Sequence, residues 1–182
     1  MSQEANVLIE VSGDILLSRA HAIAHGVAPG DHMDRGLALA LRERWPALAK
    51  DFRHYCHVSH PRSGSTWSWK SSDGLYIINL LTQEAAPSEK QPPGPAHLEH
   101  VNHALRELRR FVEHEHIKSL ALPRLATGVG GLKWQSVQPL LSQHLGELTI
   151  PIFLYTTYHP QQLADEQGKD GAWAKSLRPP QA

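Results

Sequence analysis

Apolar residues recur along this chain in short blocks that switch between two periods. Val7, Leu8, Ile9 and Val11 form a short apolar run closed by Ser12, Gly13 and Asp14, which predicts a buried strand entering a turn. Residues 20–25 predict a second, weaker strand, ended by Gly26 and followed by a loop through Val27, Ala28, Pro29 and Gly30. From Arg35 the apolar positions Leu37, Ala40, Leu41 and Trp45 have helical spacing, and Pro46 follows them. Residues 50–64 are polar and show no clear period. Residues 66–70 and 75–81 predict two strands around a turn at Ser72, Asp73 and Gly74.

The second half repeats the alternation. Residues 85–96, with Pro87, Pro92, Pro93 and Pro95, predict a loop or lid. Leu98, Val101, Leu105, Leu108 and Val112 recur at three and four residues and give the clearest amphipathic helix of the chain. Residues 119–122 predict a strand, and 123–132 a glycine-rich loop. Trp134, Val137, Leu141 and Leu145 then predict a helix, which accommodates Pro139 in its first turn if Ser136 is the N-cap. Residues 150–155 form the last strand, and beyond Pro160 the chain is polar and predicts a loosely held tail. Alternating strands and helices imply an α/β fold with a mixed or mostly parallel sheet covered on both faces. The expected organisation is one domain over residues 1–160 and a polar tail over 161–182. No internal repeat is present.

Composition narrows the class. With 182 residues, 41% of them hydrophobic and 20% charged, the chain is an ordinary globular domain. Lys plus Arg and Asp plus Glu are both 18, so no strong pull on bare nucleic acid or on an anionic membrane is expected. A single cysteine, Cys56, excludes an internal disulfide framework and suits a reducing compartment. The N-terminal segment lacks a basic stretch followed by a long apolar one, and no run approaches the ~20 apolar residues of a membrane span. A cytoplasmic location is the expectation.

In open α/β sheets ligands sit beyond the carboxyl ends of the strands. The most informative such end is Leu122-Pro-Arg-Leu-Ala-Thr-Gly-Val-Gly-Gly-Leu132. Gly128, Gly130 and Gly131 allow backbone N–H groups to approach a diphosphate, helped by the N-terminus of the next helix. Neither the P-loop lysine nor the dinucleotide spacing is present, and a plain glycine-rich turn is the alternative. Asp14 is placed to accept from an adenine amino group or, equally, to form an Asx-turn or helix cap. Tyr155 is either a base-stacking ring or a core aromatic. Thirteen histidines include His54, His57 and His60, and His97, His100 and His103, at three-residue steps. On a helix such steps fan the side chains apart, so they read as surface residues; no metal and no cofactor are expected.

Taken in order, these pieces resemble the macro domain family, in the branch of the terminal ADP-ribose glycohydrolase and the DNA ADP-ribosyl glycohydrolase antitoxins. The resemblance rests on Val11-Ser-Gly-Asp-Ile15, on Ala24, His25 and Gly26 leading to Met33-Asp-Arg-Gly-Leu-Ala38, on residues 77–83, and on the glycine-rich loop through Trp134. Phe153-Leu-Tyr155 completes it, and it covers residues 6–158. It implies a three-layer α/β/α macro domain with a mixed, mostly parallel central sheet. It also implies adenine contacts from Asp14 and Ile15, and a first loop of His25, Gly26, Gly36 and Leu37 against the distal ribose and diphosphate. Thr82 stands at a strand end. Ala126, Thr127, Gly128, Val129, Gly130 and Gly131 would hold the diphosphate, and Tyr155 would flank the adenine or proximal ribose.

The departures bear on catalysis. Glycohydrolases of this branch carry a lysine where this chain has Gln83 and an acid where it has Gly130. Glutamine forms no Schiff base, and glycine transfers no proton. The asparagines of a second branch are absent from the loop between His25 and His32, and the paired glutamates of poly(ADP-ribose) glycohydrolases are echoed only by Glu84 after Gln83. Three readings follow, and the first two are a module that binds ADP-ribose, free or on an ADP-ribosylated macromolecule, and a hydrolase using Asp31, His32, Asp34, Gln83 or Glu84. A nucleotide or phosphate-ester enzyme on a similar sheet is the third.

Overall fold

The computed structural model describes residues 8–180, so Val7 and the N-terminal residues before it lie outside the described part. Six strands form one sheet: β1 (Ile9–Gly13), β2 (Ala22–Val27), β3 (Thr66–Lys70), β4 (Tyr76–Leu81), β5 (Leu120–Pro123) and β6 (Ile152–Tyr158). Their spatial order is β1-β6-β5-β2-β4-β3. Every neighbouring pair is parallel except β3 with β4. Five strands therefore end on the same edge.

Alternation along each strand sorts side chains between two cores. Ala22, Ala24, Ile78, Leu80, Leu120 and Leu122 face α3 (Leu98–His114) and α4 (Trp134–Leu145). Ile23, Ile77, Ala121 and Phe153 face the other way, against Leu41 of α1 (Gly36–Arg44) and Leu48 and Phe52 of α2 (Pro46–Ser59). A parallel sheet covered on both sides needs such apolar runs. On α3 the predicted stripe is buried as Val101, Ala104, Leu105, Leu108 and Val112. Each buried leucine contributes about 1.5–3 kcal/mol.

Boundaries differ from the sequence pattern for identifiable reasons. β2 continues through Gly26 and Val27 because they pair with Leu80 and Leu81 of β4. β6 starts after Pro151, which has no N–H for the ladder, and runs on to Tyr158 because Thr157 and Tyr158 pair with Ser12 and Gly13. The patternless residues 50–64 include most of α2, with Pro46 in its first turn, where a missing N–H costs nothing. Helix α4 begins at Trp134 after Lys133, so Ser136 is not its N-cap. Pro139 thus lies inside the helix, but it and Gln135, whose carbonyl loses a partner, are both exposed to water.

The segment after Pro160 is strapped to the domain. Gln162 O accepts from Asp14 N at 2.8 Å, and Arg178 donates to Ser18 O and Ala20 O at 2.7 and 2.8 Å. Ser119 Oγ donates to Ser176 O at 2.7 Å, and Ala164, Trp173 and Leu177 pack on the α1/α2 side of the sheet. Among the described residues no helix is long and apolar enough to cross a membrane.

His25 lies within β2 and is 1% exposed, with Nε2 2.6 Å from Asn79 Oδ1. The Asn79 amide donates to Trp67 O and Ile77 O, so its oxygen accepts and His25 carries its proton on Nε2. Burial pushes the imidazole below its ordinary value of 6.5, against the opposing pull of Asn79 and Asp31. Above pH 6.5 the folded and unfolded chains both hold His25 neutral; below it only the unfolded chain takes up the proton readily. Stability should therefore fall as pH drops below 6.5, by up to ~1.4 kcal/mol per pH unit from this group. Urea unfolding across this range checks it: His25→Gln should flatten the fall, and an unchanged slope would show that His25 is not the source.

Candidate functional site

Because β1, β6, β5, β2 and β4 are parallel, the loops that leave them line up along one edge in that order. A cleft of about 420 Å³ runs along this edge. At one end are Tyr155, Thr156 and Tyr158 from β6; in the middle are residues 123–130 at and beyond the end of β5; at the other end are His25 and Gly26 of β2, Asp31 in the loop that follows it, and Gln83 after β4. The N-terminus of α1, with Arg35, Gly36, Leu37 and Ala38, forms the opposite wall, and Pro93 closes the far end.

The middle is built from backbone. Gly131 N donates to Gly128 O at 3.1 Å and Leu132 N to Ala126 O at 2.9 Å, while Gly130 O accepts from Ala96 N at 3.0 Å. These bonds fold the loop onto itself and tie it to the proline-rich segment. Among the described residues, the N–H groups of 127–130 meet no protein acceptor. Ala126 adopts a left-handed conformation at φ 62°, a modest strain of the kind that gathers at functional loops. A Cβ on Gly130 would lie 2.7 Å from Ala126 O and 2.9 Å from Ala96 Cβ, so this backbone has no room for a side chain. The acid that the resemblance expects at this position would therefore not fit.

Facing this loop, α1 starts without a side-chain cap, and its N-cap residue is Arg35. First-turn amides and the positive end of the helix dipole thus point toward the cleft. A Cβ on Gly36 would lie 3.8 Å from Val129 Cγ2, so the two walls nearly touch across the middle. Val129 itself is 51% exposed.

The expected site residues divide into those the cleft gathers and those it does not. His25, Gly26, Asp31, Asp34, Gly36, Leu37, Gln83, Tyr155 and residues 126–130 line it. Gly131 lies just behind and closes the loop. Thr82 is fully buried beneath Gly26, its Oγ1 without a partner among the described residues. Asp14 and Ile15 are 5% and 4% exposed and are not among the lining residues. Both Asp14 oxygens are taken: one accepts from Leu16 N at 3.0 Å, capping a short 3₁₀ turn, and the other from Gln161 N at 2.9 Å.

Among the catalytic candidates only one carboxylate is unengaged. Asp31 accepts from Ala28 N and Met33 N at 3.0 and 2.8 Å, so its work is to fold the loop. Glu84 lies outside the cleft, 2.6 Å from His97 Nε2. His32 faces a neighbouring groove with Arg42, Lys50, Arg53, His57 and His60. Gln83 is 5% exposed and donates its amide to Gly94 O at 3.1 Å, pinning the proline-rich segment to β4. Asp34 lines the cleft, is exposed, and has no hydrogen-bond partner among the described residues.

Arg35, Arg124, Thr156 and Tyr158 line the cleft but do not follow from the strand-end reading. Arg124 had a usable signal, since it follows directly on the last residue of β5. Thr156 and Tyr158 were hidden by ending the last strand at Tyr155. Among the described residues no group of three or more His, Cys, Asp or Glu is arranged to hold a metal ion.

Comparisons with known proteins bear on the fold and the family. The DNA ADP-ribosyl transferase–DNA ADP-ribosyl glycohydrolase fusion protein of Thermosipho africanus is 27% identical over 157 residues, which cover 80% of this chain and 40% of that protein. The DNA ADP-ribosyl glycohydrolase of Mycobacterium bovis is 29% identical over 133 residues, covering 71% of this chain and 36% of its own length. The structure of Thermosipho africanus DarTG in complex with ADP-ribose superposes with a TM-score of 0.71 at 25% identity, covering 81% of this chain and 40% of that one. The chain thus spans about 40% or less of the length of these relatives. The profile of the family described as Macro domain matches residues 32–141, more than half of the sequence, and the chain belongs to the macro domain family.

Proposed function

We propose that the cleft binds ADP-ribose, free or attached to a macromolecule, and that recognition rather than cleavage is its main work. The observation that carries this reading is the row of unpartnered N–H groups at 127–130 facing the uncapped start of α1. Two sets of donors converging on one point suit a diphosphate, whose oxygens would satisfy both. The base then lies toward Tyr155 and Tyr158, and the distal ribose toward His25, Asp31, Gln83 and Pro93. The solved relative that holds ADP-ribose supports the same ligand class. With one cysteine in the chain, the proposal places this binding in a reducing compartment, the cytoplasm.

Hydrolysis is the second reading, favoured by one observation: Asp34 is an exposed, unpartnered carboxylate on the cleft wall. It would take a proton from water as the water attacks C1″ of the distal ribose, the acceptor leaving with the bond electrons. The relatives named as glycohydrolases lend this weight. Gln83 supplies no nucleophile, and its amide is committed to Gly94.

Two outcomes follow. Gly130→Ala should push the loop off Ala126 and weaken ADP-ribose binding by calorimetry by about tenfold or more, ~1.4 kcal/mol; undiminished affinity would contradict the backbone cradle. For cleavage, excess protein incubated with ADP-ribosylated DNA and mono-ADP-ribosylated protein should leave both intact. Release of ADP-ribose that Asp34→Asn lowers about a hundredfold or more would establish the second reading instead.

A further inference from the structure

The C-terminal segment does more than cover the sheet. His159 N donates to Gly13 O at 3.2 Å, and Asp14 is clasped by the segment on both sides, its N–H donating to Gln162 O and its carboxylate accepting from Gln161 N. The chain then passes so close to β1 that a Cβ on Gly13 would lie 2.8 Å from Ala164 N. Two residues later Glu166 is 6% exposed, an unusual place for a carboxylate.

Three donors meet on that carboxylate. Ser18 Oγ donates at 2.5 Å, Arg19 N at 2.8 Å and Tyr155 Oη at 2.7 Å. Tyr155 is 7% exposed and packs in the core on the α1/α2 side, and it is also one of the residues that line the cleft, at the end toward Thr156 and Tyr158. Burial first, and then the adjacent Glu166 charge, push the phenol well above its ordinary range, so it keeps its proton and donates. The ring is thereby tethered from behind by a residue that lies outside the strand–helix framework.

We propose that Glu166 is a positioning residue for the nucleobase end of the cleft, fixing the Tyr155 ring so that the site favours ligands carrying a base over the same ligand without one. The inference rests on the proposed function, since it takes the Tyr155 end of the cleft to be the base end. It adds that the segment beyond Pro160 belongs to the binding site. Selectivity comes from pre-organisation: a ring already held in place loses no freedom when a base stacks on it. Because every partner of Glu166 donates, a carboxylate is required; glutamine would turn an amide N–H₂ toward one of those donors.

The experiment compares ADP-ribose with ribose 5-diphosphate, the same ligand without adenosine, by calorimetry on the full chain. The variants are Glu166→Gln, which keeps the side-chain volume, and Tyr155→Phe, which removes only the tethered hydroxyl. Both should weaken ADP-ribose about five- to tenfold, the scale of one ordinary net hydrogen bond, and change ribose 5-diphosphate by less than about twofold. Restoring the carboxylate one methylene shorter, Glu166→Asp, should recover more ADP-ribose affinity than Glu166→Gln retains. Parallel losses for both ligands would mean a merely structural role and overturn the proposal, as would unchanged affinities in both variants. Should Glu166→Gln unfold, Tyr155→Phe decides alone by the same ratio. A wild-type chain that binds neither ligand would instead remove the proposed function, and this inference with it.

Discussion

Parallel pairing of β1, β6, β5, β2 and β4 is the constraint on which the rest depends. It sends five strand exits to one edge and forces the chain to leave the sheet there with backbone groups that the ladder no longer satisfies. After β1 and β4 some of these groups find partners, Asp14 N on Gln162 O and Gln83 N on Val27 O, but after β5 the loop closes two bonds of its own and leaves the N–H groups of 127–130 over. On the proposed function, the order of the strands sets the order in which an elongated ligand would be read, with a base toward β6, a diphosphate at the loop after β5 and a sugar toward β2 and β4.

The two walls of the cleft are held by different means. The loop after β2 is folded by Asp31, whose two oxygens fix Ala28 and Met33 and leave α1 starting at the cleft. The loop after β5 is held by Ala96 from the proline-rich segment, which Gln83 in turn anchors to β4. Several side chains that look catalytic in a sequence make structural bonds here. Asp31 gives both oxygens and Gln83 its amide N–H₂ to backbone partners, and Glu84 accepts from His97 through Oε1 outside the cleft. A site rich in backbone donors and poor in unengaged acid–base groups is suited to holding a ligand still.

Much of this was legible in the sequence, for physical reasons. The α3 stripe and the buried strands announce themselves because burial on one side imposes a period. The glycine-rich loop announces itself because only glycine tolerates the closeness at residue 130. Helix α2 was invisible: its exposed face carries His54 and His57, which dilute a stripe reduced to Leu48 and Phe52. The ends of β2 and β6 were set by partners far away in the chain, and Gly26 or Thr157 carries no mark of them. Least legible was the strap. Glu166 reads as a solvated charge in a polar tail, and Ser18 and Arg19, almost 150 positions away, together with Tyr155 make it a buried one. Asp14 shows the same limit: a turn cap and an adenine contact demand the same residue, and the structure gives its carboxylate to Leu16 and Gln161.

The central claim is that unsatisfied amides at 127–130 are the grip of this domain. Backbone amide resonances followed by NMR during titration with ADP-ribose test it most directly. The account expects saturable shifts concentrated in residues 127–130 and in the first turn of α1, with residues on the opposite edge of the sheet unmoved. Resonances in those two segments that stay in place at saturating ADP-ribose would contradict it.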